Sequence, residues 1–210
     1  MFKITLTKLL ECGIIFEPMV QYIYIGALAF VMIFGFKHPN FLDTDRQINL
    51  IFRGIIMCVA LKEIYREIYQ ESFNYENFNN RKKLQKAVYL LENMGVSVGD
   101  YSFSWDKYGP YSLSLDCDAQ KLMAIDEKEF SFSEFAKSCF ADIRRYISAN
   151  NGYECTEWME CIASLHYLKN VFRVTKKKLV EELQKRKPYL SNMSANLKAL
   201  EIVEGISVGN

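Results

Sequence analysis

RKKLQKAVYLLENMGVSVGDYSFSWDKYGPYSLSLDCDAQKL, running from Arg81 to Leu122, decides how this chain is read. Leu84, Val88, Leu91 and Met94 recur at helical spacing, with Asn80 expected as N-cap and Gly95 as stop. Tyr101, Phe103 and Trp105 then alternate with Ser102, Ser104 and Asp106, the pattern of a strand with one aromatic face. Gly109-Pro110 forces a tight turn, because proline pushes its predecessor out of the helical region. Ser112 is placed to cap a helix whose buried face is Leu115, Ala119 and Leu122.

Helical patterns continue outward on the C-terminal side. Ser131 with Glu134 reads as a capping box, followed by an apolar face of Phe135, Cys139, Ile143 and Ile147, and Asn150-Asn151-Gly152 ends that helix. Thr156 is expected to cap the next helix, with Met159, Ile162, Ala163, Leu165 and Leu168 along it. Thr175 opens another through Leu179 and Leu183 to Pro188. A short helix over about 191–200 leads into EIVEGISV, 201–208, expected as a terminal strand. The fold class is therefore mainly α with a small β-sheet. A compact helical module over 80–210 is preceded by long apolar N-terminal helices over 1–79, the boundary falling at the Asn-rich stretch 73–80.

Within that first segment, residues 19–36, MVQYIYIGALAFVMIFGF, carry no charge. As a helix they extend about 27 Å, close to the hydrocarbon thickness of a bilayer. Tyr22 and Tyr24 stand at one end, Lys37 and His38 at the other, and Pro39 stops the run. Two readings stand: a membrane span that anchors the chain, and a buried core helix. A second run, 48–61, contains Arg53 and reads as an interfacial or core helix, part of one helix over about 47–72. The first seventeen residues begin with Lys3 and Lys8 but hold no small-residue cleavage site, so they are expected to stay in the mature protein. Lys and Arg are denser after the span than before it. The module is thus expected in the cytoplasm, attached to the inner face of the cell membrane.

The net charge of +1 argues against bulk nucleic acid as a partner, and six cysteines without a C-x-x-C fit a reducing compartment. The sequence holds no P-loop, G-x-G-x-x-G, H-E-x-x-H or G-x-S-x-G. Cys161 and His166 are five residues apart, which does not put them on one helix face, so neither a metal site nor a Cys–His pair is expected there. Asp116 and Asp118 point away from each other on a helix and form no dyad. No catalytic set, cofactor or metal is expected. Of the aromatic group around the Gly-Pro turn, Phe103 reads as core. Trp105, Tyr108 and Tyr111 read either as core or as the edge of a partner surface. Lys169, Arg173, Lys176, Lys177, Lys178, Lys185, Arg186 and Lys187 form a basic patch around Glu181 and Glu182. It reads as a solvated face, or as a contact for anionic lipid or nucleic-acid phosphates.

KLQKAVYLL (83–91), YSFSWDKYGPYS (101–112), WMECIASLHYLKN (158–170) and KRKP (185–188) follow one another in an order that resembles the YwgA-type proteins of bacteria and archaea. More loosely, the order is similar to the SocA-like, or Panacea, antitoxin family. The resemblance covers about 81–200, and its most specific part is F-x-W-x-x-Y-G-P-Y-S, Phe103 to Ser112. It implies a compact, mainly helical module with a small sheet, and its SocA-like part implies binding of a protein partner, as a proteolytic adaptor or toxin neutraliser. The first reading is therefore a non-enzymatic interaction module whose partner is a protein such as a toxin or phage-defence component. A second reading is a soluble regulator that binds nucleic acid through a winged-helix-like end at 190–208. A third is an enzyme with a cysteine nucleophile.

Overall fold

A computed structural model describes residues 59–121 and 131–206. They fold as helices around one short hairpin: helical residues 59–69 (α1), α2 Phe78–Asn93, β1 Ser104–Asp106, β2 Gly109–Tyr111, α3 Leu113–Lys121, α4 Glu134–Ser148, α5 Cys155–Asn170, a 3-10 turn Lys176–Lys178, α6 Leu179–Arg186 and α7 Met193–Gly205. The fold is mainly helical with a two-stranded sheet, as the sequence predicts. The expected span at 19–36 lies outside the described residues. Among the described residues no helix is long and apolar enough to cross a membrane.

Helix α5 is the axis. A predominantly apolar helix has to be covered on most of its faces, and every residue from Trp158 to Leu168 is buried, including Glu160, Ser164 and His166. Helices α2, α6 and α7 and strand β2 pack against it. Trp158 is fully buried and its indole N–H donates to the Tyr146 carbonyl at 2.7 Å, which ties α4 to the axis. On the far side Asn196 of α7 donates to the Leu190 carbonyl at 2.9 Å. Its amide oxygen accepts from the Tyr153 hydroxyl at 3.0 Å. Helix α1 contributes Leu61, Ile64, Tyr65 and Ile68 to the same buried cluster. It ends at Gln70, where φ is +56°, and the Asn-rich stretch then links it to α2.

Several boundaries differ from the sequence reading. Asn77, not Asn80, caps α2, accepting from the Asn79 and Asn80 amides at 2.9 and 3.4 Å. Three asparagines in four positions offer near-equivalent caps. Asn80 is instead buried, accepting from the Asn74 amide at 3.0 Å. The expected stop holds: Gly95 follows the C-cap at φ +94°, and the Val96 amide returns to the Leu91 carbonyl at 2.9 Å. Ser133 rather than Ser131 caps α4, through the Ala136 amide at 3.2 Å. The buried face becomes Ala136, Cys139, Phe140, Ile143 and Tyr146, and Phe135 turns outward at 55% exposure. Helix α5 starts after Glu154 with no side-chain cap, leaving Thr156 inside its first turn. Residues 201–205 are helical, not a strand, because burying Val203 and Leu200 on one α7 face outweighs the weak strand preference of Ile202 and Val203.

Trp158→Phe removes the donor to Tyr146 and leaves a void beside it. We expect a loss of about 2–4 kcal/mol in urea unfolding followed by circular dichroism. Phe135→Ser, on the outward face, is expected to stay within about 0.5 kcal/mol of the wild type.

Candidate interaction site at the hairpin

The hairpin pairs Ser104 with Tyr111, Trp105 with Pro110 and Asp106 with Gly109, leaving Lys107 and Tyr108 as the loop. Two strands of three residues have little stability of their own, so the hairpin depends on what it rests on. Gly109 adopts φ +86°, and a Cβ there would stand 2.6 Å from Ser164 Oγ on α5. Glycine is required both for the backbone conformation and for the close approach to the axis.

Two buried lysines hold the hairpin from below. Lys86 Nζ donates to the Pro110 carbonyl at 2.8 Å. Lys187 Nζ donates to the Lys107 carbonyl at 2.5 Å and to Glu160 Oε1 at 2.7 Å. The Tyr189 hydroxyl donates to the same carboxylate oxygen. Lys86, Glu160 and Lys187 are 2%, 1% and 1% exposed. Gln85 adds a two-way pairing with the Ser112 backbone, both bonds at 2.9 Å. Burial pushes the Lys86 ammonium down to about 7, with Glu160 opposing the shift and Lys187 adding to it. Burial lowers Lys187 as well, again opposed by Glu160. Glu160 Oε2 and Ser164 Oγ are buried without a hydrogen-bond partner among the described residues.

His166 is fully buried, bonded to the Tyr89 hydroxyl through Nδ1 and to the Asn170 amide through Nε2, both at 2.8 Å. Burial, and secondarily Lys169, lowers it to about 4. It is a neutral link between α2 and α5. Burial raises the thiols of Cys139, Cys155 and Cys161, the opposite of what an activated nucleophile needs. No cluster of three or more His, Cys, Asp or Glu among the described residues could hold a metal ion.

The three aromatic residues singled out from the sequence take separate places. Trp105 is half-buried against Tyr167 and Phe172, at ring separations of 5.8 and 5.6 Å. The Arg186 guanidinium lies 5.7 Å and the Lys187 ammonium 5.2 Å from its ring centre. Tyr108, at the loop, meets Phe78 edge-on at 5.2 Å, with Lys82 at 4.9 Å and Lys107 at 5.2 Å from its ring. Tyr111 is half-buried, and burial and then the Asp116 carboxylate raise its hydroxyl. Phe78, Phe172 and Tyr189 join Trp105 and Tyr108 around the hairpin and are 44%, 40% and 45% exposed. Sequence spacing did not single out Phe78, Tyr189, Lys82 or Lys107 for this surface. Nor did it single out Lys86 or Glu160, whose neighbours one turn back, Lys82 and Lys83 or Glu157, are charged as well.

The basic patch is divided. Lys187 is buried in the ion cluster and does not belong to a solvated face. Lys169 bonds the Val203 carbonyl at 3.3 Å, and Lys176 pairs with Glu204 at 2.6 Å. Lys185 and Arg186 both reach Glu182, at 3.8 and 3.4 Å. Arg173, Lys177 and Lys178 are exposed on the connector between α5 and α6.

No family model, curated protein or solved structure matches the chain. Fold and site together define a small, mainly helical module that presents a braced hairpin with an exposed aromatic and cationic rim.

Lys187→Met strips Glu160 of its direct counter-ion, and we expect a loss of about 3 kcal/mol or more in chemical unfolding. Adding Glu160→Gln to that variant should recover part of the loss. A second measurement concerns His166. The unfolded chain takes up this proton near 6.5 and the folded chain only near 4, so its contribution is full above pH 6.5 and lost as pH falls toward 4. The difference in unfolding free energy between wild type and His166→Gln should shrink across that window by on the order of 3 kcal/mol.

Proposed function

We propose that this protein is a non-enzymatic interaction module that docks a partner protein on its hairpin face. The observation that carries the reading is a contrast at one place. The hairpin backbone is held by buried charges, while Phe78, Phe172 and Tyr189 beside it face solvent. Large aromatic side chains on a rigid support bind at low entropic cost, which is why they dominate interface energetics. The looser similarity of residues 81–200 to SocA-like antitoxins, which implies binding of a protein partner, supports the same reading; the partner we propose is a toxin or phage-defence protein. The uncharged run at 19–36 supports attachment to the inner face of the cell membrane.

Nucleic-acid binding through the C-terminal end draws less support. The outward residues of α7 include Met193 and Leu197, each 51% exposed, and Lys198 is already paired with Glu201 at 2.8 Å. A phosphate-binding surface needs unpaired cations instead.

A photo-crosslinking residue placed at Phe172 in cells should give a discrete protein adduct that the same probe at Leu197 does not. A nucleic-acid adduct at Phe172, or identical products at both positions, would overturn the reading. In cell fractionation, release by carbonate wash would remove the membrane span, and a chain found wholly in the soluble fraction without carbonate or detergent would remove the attachment altogether.

A further inference from the structure

The hairpin rim carries more chemistry than exposed rings alone. Each aromatic cluster has cations of the chain's own laid over it. Lys82 Nζ stands 5.0 Å from the Phe78 ring and 4.9 Å from Tyr108. Lys107 is 5.2 Å from Tyr108, and Arg186 is 5.0 Å from Phe172 and 5.7 Å from Trp105. Such contacts orient a cation without neutralising it, and each contributes only about 0.5–1 kcal/mol at an exposed site. Lys82 and Lys107 form no ion pair with a described residue, and Arg186 shares one carboxylate, Glu182, with Lys185. The rim is therefore positively charged, although the chain as a whole is near neutral at +1.

We infer, resting on the docking reading above, that the occupant of this rim is an acidic polypeptide segment. Its carboxylates would pair with Lys82, Lys107 and Arg186, and its apolar side chains would cover Phe78, Tyr189 and Phe172. The ring geometry separates this occupant from a nucleic-acid strand. Single strands bind by stacking bases on open ring faces. Here the faces of Tyr108 and Trp105 are approached by the chain's own ammonium and guanidinium groups. Phe78 meets Tyr108 at an interplanar angle of 73° and Tyr167 meets Phe172 at 89°, so neighbouring rings do not form a stack that a row of bases could extend. Carboxylates need no open face; they reach the cations from outside. Asp106 and Glu182 interrupt the positive rim, which penalises a continuous polyanion more than a segment with spaced charges.

The test uses the full chain and fluorescence anisotropy. The probe is a short fluorescein-labelled peptide of repeating Glu-Phe-Asp-Leu, compared with the same peptide carrying Gln and Asn for Glu and Asp, and with an oligothymidylate of matching length. We expect saturable binding of the acidic peptide, at least about tenfold tighter than the amide peptide and than the oligonucleotide. Lys82→Gln/Lys107→Gln/Arg186→Gln should weaken the acidic peptide about tenfold or more and leave the amide peptide unchanged. The exposed single change Lys107→Gln serves if the triple variant does not fold. Equal binding of acidic and amide peptides, tighter binding of the oligonucleotide, or undiminished binding by the variants would overturn the inference. A protein adduct at Phe172 alongside any of those results leaves docking standing and removes only its acidic character; failure of both removes both.

Discussion

Glu160 is 1% exposed, with the Lys187 ammonium 2.7 Å from its carboxylate and the buried Lys86 ammonium stabilised by its charge. Taking charges out of water costs several kcal/mol each, and mutual attraction restores that only when geometry is good and the remaining hydrogen-bonding capacity is used. Lys187 meets this condition: its ammonium contacts Glu160, the Lys107 carbonyl and the Tyr189 hydroxyl. Lys86 meets it less fully. It bonds the Pro110 carbonyl, and burial brings its ammonium down to about 7. Replacing such a cluster with apolar side chains is often stabilising, so core stability alone is a poor explanation for it. What apolar side chains cannot supply is donors for the backbone of a turn. The two lysines serve carbonyls at residues 107 and 110, either side of Gly109, and so determine where the loop lies on α5.

That placement governs everything on the outer surface. With the hairpin backbone held, Trp105 is pressed against Phe172 and Tyr167, and Tyr108 against Phe78, so the rim is formed before any partner arrives. Preorganisation of this kind lowers the entropic cost of association. The same bracing joins elements that are far apart along the chain. Lys86 comes from α2, Glu160 from α5 and Lys187 from the end of α6, so a partner on the hairpin would rest on elements distant in sequence.

Much of the architecture could be read from local pattern. The apolar spacing through Leu84, Val88 and Leu91 marked α2, and Ser112 bonds the Leu115 amide at 3.5 Å as a capping serine should; the turn, expected at Gly109-Pro110, instead falls at Lys107-Tyr108, and Gly109 and Pro110 lie in β2 paired with Asp106 and Trp105. Errors concentrated where several residues could do one job. The cap of α2 had three asparagines to choose from, and the cap of α4 two serines. At α7 the β-branched Ile202 and Val203 suggested a strand, and burial against α5 made them helical. The basic patch failed differently. Its members share a stretch of sequence, but a helix distributes neighbours around its circumference, and Lys187 was turned into the core.

By itself the sequence determined the secondary structure class and the order of helices around a short aromatic hairpin. These follow from short-range rules: periodicity, capping and the restricted backbone of proline and glycine. Only the tertiary structure decided that Lys86, Glu160 and Lys187 meet, and that Phe78, Tyr108, Tyr189 and Phe172 border one hairpin. The physical reason is separation along the chain. Residues 74 to 101 positions apart, as Lys86 is from Glu160 and from Lys187, have no local term that links them. They are brought together by the packing of α2, α6 and the hairpin around an axis that is buried on every side.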